Sequence, residues 1–139
     1  MRTADVSQRA NETPTGPTGP TGSEPPYIDL APSIHRQRLV VEGIPGRAIN
    51  DLDIRRYLRR LTTVAGMSLL LQPVTHRSPA YGWAGWVHWE TSGAHFYAWD
   101  EPHLFFSADV YTCKAFEADA VVSFTSTFFD TSAITWREF

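Results

Sequence analysis

The chain has one cysteine, Cys113, in 139 residues, so it can form no disulfide within itself, and its thiol usage suits a reducing cytoplasm. Charge is scarce: Asp, Glu, Lys and Arg make up 19%, and the net charge is −3. Without a basic surplus there is no electrostatic footprint for nucleic acid. Long hydrophobic runs are also missing. Stretches such as Met67 to Leu71 fall far short of the roughly 20 residues a membrane span needs. The N-terminal region has one arginine near its start but no apolar stretch behind it, so no secretory signal is expected. There is no glycine-rich phosphate loop and no nucleophile elbow. His76, His88, His95 and His103 lack the short paired spacing of zinc motifs, and strand alternation predicts His88 and His95 on unrelated strands, so no metal is expected.

What the chain does have is apolar and aromatic content, 42% and 13%, enough for one domain with a real core. That content is unevenly placed. The first 26 residues are polar and contain Thr15-Gly16-Pro17-Thr18-Gly19-Pro20-Thr21-Gly22, then Pro25-Pro26. A collagen triple helix needs many consecutive Gly-X-Y triplets, which this short tract does not supply. Residues 1–34 are therefore expected to be a disordered leader, with too little apolar surface to offset its ordering entropy, and residues 35–139 to be the folded domain.

Within the domain, Leu39-Val40-Val41-Glu42 predicts a buried strand ending near Gly43, with a turn at Pro45-Gly46. Asn50 is the expected N-cap of a helix, with Asp51 and Asp53 in its first turn. Ile54, Tyr57, Leu58, Leu61 and Ala65 follow helical spacing, with Gly66 as the stop and Arg55, Arg56, Arg59 and Arg60 as a solvated face. Strands are expected at Ser68–Thr75, Trp83–Glu90, Gly93–Trp99 and His103–Tyr111. A second helix over Lys114–Phe128 and a closing strand over Thr131–Phe139 complete the series. This order predicts an α/β two-layer sandwich, a mostly antiparallel sheet with its helices on one face. The open face is expected to carry Trp83, Trp86, Trp89, Phe96 and Trp99, and so to be covered by a second copy in a homodimer or to line a pocket.

The stretch from Glu90 to Cys113, ETSGAHFYAWDEPHLFFSADVYTC, carries the chemistry. Together with Arg38-Leu39-Val40-Val41-Glu42, His76, Gly82, Gly85, Trp99, Glu101 and Asp109-Val110-Tyr111-Thr112-Cys113, it resembles the small bacterial S-adenosylmethionine decarboxylases over about 100 residues, Arg38 to Glu138. The resemblance implies a fold of that type. It also implies a backbone cut at a Glu-Ser bond that turns the serine into a pyruvoyl group, the electron sink for decarboxylation. On this resemblance Ser92 is the cleaved serine and Cys113 the proton donor. Glu42, His76, Trp99, Glu101 and Asp109 are the expected substrate-binding residues.

Several departures limit that implication. The aligned triplet is Thr91-Ser92-Gly93, where the family has Glu-Ser-His, and Glu90 lies one place too early. The family's processing histidine, five residues after the serine, aligns with Tyr97, and its processing serine, eight before, aligns with Ala84. A tyrosine of ordinary pKa is a poor base near neutrality. His95 lies two residues from Tyr97 and therefore on the same strand face, from which it could substitute. The expectation is a divergent decarboxylase-like enzyme that does not process itself, with no cofactor. It would use the old pocket on S-adenosylmethionine or another small, amino-acid-like ligand, an accessory role in specialised metabolism. The alternatives are an active pyruvoyl enzyme of polyamine biosynthesis cut at Thr91-Ser92, and a non-catalytic regulatory partner.

Overall fold

The structure, a computed structural model, describes residues 25–139. The Gly-Pro-Thr tract and most of the expected leader lie outside the described residues. Residues 25–30 are exposed and without regular secondary structure, and residues 31–139 form a compact unit. Among the described residues no helix is long and apolar enough to cross a membrane.

Eight elements follow in the expected order: β1 (Gln37–Ile44), α1 (Asp51–Val64), β2 (Leu69–Ser78), β3 (Gly82–Trp89), β4 (Ser92–Trp99), β5 (Phe105–Thr112), α2 (Ala118–Phe129) and β6 (Ala133–Glu138). One six-stranded sheet has the order β2-β3-β4-β5-β1-β6, with every neighbouring pair antiparallel. β2 to β5 form a meander, and β1 slots between β5 and β6.

Both helices lie on one face. α1 starts where Asn50 Oδ1 accepts from Asp53 N (3.0 Å) and Asp53 Oδ2 accepts from Asn50 N (3.1 Å), a reciprocal cap. Arg47 grips the same carboxylate with two donors at 2.7 and 2.9 Å. That hydrogen bonding holds the Asp53 carboxyl below the usual carboxylate range. The helix ends at Ala65, and Gly66 takes the positive φ of 66° that follows. α2 begins later than its periodicity suggests, at Ala118, because Lys114 to Glu117 leave β5 as a connection, and it ends on Asp130 in the left-handed region.

The core is aromatic. Tyr57 on α1 stacks on Phe124 (5.5 Å, 3°) and meets Phe96, Phe128 and Phe129 at 4.9 to 5.5 Å. Its hydroxyl is bonded to Thr125 Oγ1 at 2.9 Å, and complete burial drives its pKa upward. Trp89 is fully buried and donates Nε1–H to Thr62 Oγ1 (2.8 Å), which donates in turn to Leu58 O. Burying an aromatic side chain of this kind stabilises the fold by about 1.5–3 kcal/mol.

Two sequence expectations change here. Trp83, Trp89 and Phe96 belong to the helix-covered side: Trp89 and Phe96 are buried in the core and Trp83 packs against it, because residues of opposite parity on a strand face opposite ways. Of the five aromatics assigned to the open face, Trp86 and Trp99 lie there. The arginines of α1 are also more than a solvated face. Arg55 donates to Pro73 O and Thr75 Oγ1, both at 2.7 Å, and Arg59 donates to Gln72 Oε1 at 2.9 Å. Arg60 lies over the Phe124 and Phe128 rings. Arg55 and Arg59 fasten α1 to edge strand β2, whose register with β3 shifts between Leu69 and Val74, while Arg60 ties α1 to α2.

The close fit of α1 explains one glycine. A Cβ on Gly85 would stand 2.5 Å from Ile54 Cγ2, so only glycine lets the helix approach β3 at this point.

Candidate functional site

The open face is a grid whose rows follow from the strand registers. One row reads His88, Gly93, Tyr111, Arg38; the next reads Val74, Trp86, His95, Asp109, Val40, Arg137; a third reads His76, Ala84, Tyr97, Ser107, Glu42, Thr135. Neighbours within a row stand about 5 Å apart. His95 and Tyr97 share this face, as alternation requires.

At one end of the grid, Trp89 pairs with Ser92, leaving Glu90 and Thr91 as a two-residue turn. Tight turns of this length place positive φ on their central residues. Here the positive angle falls on the following residue instead: Ser92 has φ 138°. Among the described non-glycine residues only Asp130 shares a positive φ. Residues held in such regions cost about 1–3 kcal/mol and persist where the surroundings over-determine them. The surroundings here are specific. Cys113 N donates to Thr91 O (2.9 Å), and Ser92 Oγ donates to Cys113 Sγ (3.5 Å). Ser92 pairs with Thr112, so the serine and the exposed thiol sit side by side at the ends of β4 and β5.

Ser92 also lines a shallow cavity of about 790 Å³ with Gly93, His95, Trp86, His88, Tyr111, Arg38 and Asp109. Asp109 is held by Arg38 through two parallel bonds, Nε to Oδ1 at 3.0 Å and Nη2 to Oδ2 at 2.7 Å. The pair raises the Arg38 pKa, first through the hydrogen bond and then through the charge of Asp109. Phe139 lies against the same guanidinium, 5.4 Å from Cζ to the ring centre.

The candidate residues therefore split into groups. Ser92, Cys113, His95 and Asp109 come together. Tyr97 stands one row further on, directly opposite Ala84, and does not line the Ser92 cavity. Glu42 opens into a different groove of about 390 Å³ with Val40, Thr135, Trp136, Arg137 and Phe139. His76 lies four strands from Glu42 in the same row, roughly 19 Å away at ordinary strand spacing. Trp99 is at the far end of β4, roughly 23 Å along the strand from Ser92. It packs there with Tyr81, Tyr97 and Phe105, and Glu101 lies exposed in the loop beyond.

Trp86 lines the cavity from the open face where the sequence placed it, whereas Tyr111 and above all Arg38 escaped the sequence reading as site residues. Parity with Glu42 would have put Arg38 on the open face, but its partner Asp109 is 71 residues away and becomes visible only with the β1–β5 register. His88 and His95 are on adjacent strands and line one cavity, not on unrelated strands. Among the described residues no three His, Cys, Asp or Glu side chains cluster as a metal site would require.

Comparison with known proteins adds two findings. The family model for S-adenosylmethionine decarboxylase matches residues 41–139. The fold is similar to a crystal structure of the adenosylmethionine decarboxylase from Aquifex aeolicus VF5, with a TM-score of 0.64 and 18% identity over 76% of this chain and 89% of that one. No curated protein sequence matches the chain.

Proposed function

Because the chain belongs to the S-adenosylmethionine decarboxylase family, we propose that it is a divergent, enzyme-like member that keeps the family's pocket but does not cut its own backbone. The pocket takes S-adenosylmethionine or another small polar ligand. The family in general depends on a pyruvoyl group. On the alignment above, its two processing side chains correspond to Ala84 and Tyr97, which are direct cross-strand partners on the open face. One is a methyl group, and the other a phenol outside the Ser92 cavity. The residues at these positions do not fit the making of a pyruvoyl group, and this is the observation that carries the proposal.

Intact-mass measurement of the purified full chain tests it. A single uncut species is expected. Two fragments meeting at residue 92, the second carrying a pyruvoyl mass, would overturn it. That result would favour the second reading, an active decarboxylase using His95, for which the strained φ of Ser92 and the placing of His95 in the same cavity speak.

The open face also exposes Leu71, Val74, Trp86, Tyr97 and Tyr111, each between 37% and 53% accessible. A homodimer packed through this face would cover them and close the cavity. Sedimentation of the wild type against Trp86→Glu separates dimer from monomer.

A further inference from the structure

We infer that β6 pairs with β6 of a second copy of this chain, antiparallel across a two-fold axis at Trp136, so that the two sheets become one. This contact is separate from the Ser92 cavity and from packing through the open face. The outward backbone groups follow from the register. Phe139 N donates to Arg38 O at 3.0 Å, so Arg137 and Thr135, two and four places back, also turn their N–H and C=O toward β1. The alternate residues Ile134, Trp136 and Glu138 turn theirs away from β1, where β6 is the last strand of the sheet. Among the described residues no other element takes these groups up. An antiparallel copy with Trp136 opposite Trp136 also sets Ile134 opposite Glu138 and Glu138 opposite Ile134. Every outward residue of β6 then has a partner, and each pair exchanges two N–H···O bonds. A slip of two residues either way leaves one outward residue with no partner in β6.

The side chains match in the same register. Trp136 lies beside Val41 on the helix-covered side and is 47% accessible, a large apolar group at the rim of the core. On the axis it meets its own copy, and each ring covers the other. The opposite side carries charge. Arg137 rests on the Phe139 ring at 5.8 Å, and among the described residues neither Arg137 nor Glu42 forms an ion pair. Both line the groove of about 390 Å³ along β6. Pairing at Trp136 puts Arg137 opposite Thr135 of the second copy, whose neighbour in the row is Glu42 of that copy. The two Cα atoms then stand about 10 Å apart, two strand spacings, with only a short threonine between them. A guanidinium and a carboxylate can meet over that threonine. The two-fold axis makes the contact twice, so the edge is complementary to itself in charge as well as in hydrogen bonding.

Sedimentation velocity of the full chain tests this in the Trp86→Glu background, which removes packing through the open face, from about 10 μM to about 1 mM. A contact along one strand is smaller than the roughly 1,200 Å² of a standard interface, so association is expected on the order of 100 μM. Arg137→Glu and Glu42→Arg each bring like charges together at two equivalent points and should weaken it at least about tenfold. The double variant Arg137→Glu/Glu42→Arg restores opposite charges and should return association to within about threefold of the background. Amide exchange followed by NMR gives a second readout that needs no change in β6. The N–H groups of Ile134, Trp136 and Glu138 should gain protection as concentration rises, while those of Thr135 and Arg137, already turned to β1, should not. A monomer at the highest concentration, charge reversals without effect, a double variant that stays monomeric, or no added protection at the three outward amides would each overturn the inference. None of these results bears on the pocket reading.

Discussion

The φ of 138° at Ser92 can be measured as stored free energy by comparing two substitutions at the same site. Ser92→Ala removes the hydroxyl and its 3.5 Å contact with Cys113 Sγ but keeps a Cβ in a backbone region where side chains are rare. Ser92→Gly removes both the hydroxyl and the Cβ. The difference between the two isolates the backbone term, and neither variant can be cut at a serine, so the comparison holds whether or not the wild type processes itself. A non-glycine residue in this region costs about 1–3 kcal/mol. Against that, glycine costs about 0.5–1 kcal/mol more than alanine through the entropy of the unfolded chain. The net expectation is that Ser92→Gly is more stable than Ser92→Ala by about 1 kcal/mol, or about 4 °C in Tm for a domain of this size. Urea denaturation of both variants, with equal m-values to show that the unfolding transition is the same, provides the measurement. Equal stability, or a more stable alanine variant, would mean that the turn relaxes freely. The claim that the Glu90–Thr91 hairpin stores strain at Ser92 would then be lost.

Thr62→Val keeps the shape of a core side chain but strands the buried Trp89 N–H, which should cost about 1–3 kcal/mol by denaturant titration. Tyr57→Phe leaves the stacked ring in place and removes one hydrogen bond to Thr125, for a smaller loss of about 1 kcal/mol. The depressed pKa of Asp53 makes a signed prediction: its contribution is complete above the unfolded carboxylate value near 4 and is lost as pH falls through the lower folded value. Arg47→Gln should therefore lower stability at neutral pH, flatten the acid limb below about pH 4, and converge with the wild type in strong acid. An unchanged limb would show that the Arg47 clamp does not hold Asp53 ionised.

Local chemistry made much of this fold legible in the sequence. Asn50 and Asp53 announced the start of α1 because a cap is a short-range contact, and Gly66 announced its end for the same reason. Period-two alternation placed every strand to within a few residues. The open-face aromatics were misplaced because Trp83, Trp86 and Trp89 were grouped by proximity, when their spacing of three alternates faces. The site was less legible for a different physical reason. Ser92, His95 and Cys113 come from one contiguous meander, and sequence order nearly gives their neighbourhood. Arg38 and Glu42 come from β1, which enters the sheet between β5 and β6, and nothing local says that Arg38 will meet Asp109 while Glu42 turns to another groove. The Ala84–Tyr97 pairing likewise needed the β3–β4 register.

The attachment of α1 to β2 also sets a limit on assembly. β2 presents Pro73 with no N–H to give, its carbonyl already claimed by Arg55, and a pairing register that slips along its length. An incoming strand finds no regular row of donors and acceptors on that flank. β6, at the other flank, pairs evenly with β1 through six consecutive positions and carries no proline. The sheet thus has one terminated side and one extendable side. A second copy joining through β6 would present its own terminated β2 flank outward, so lateral growth stops at two chains and an open-ended ribbon of sheets cannot form.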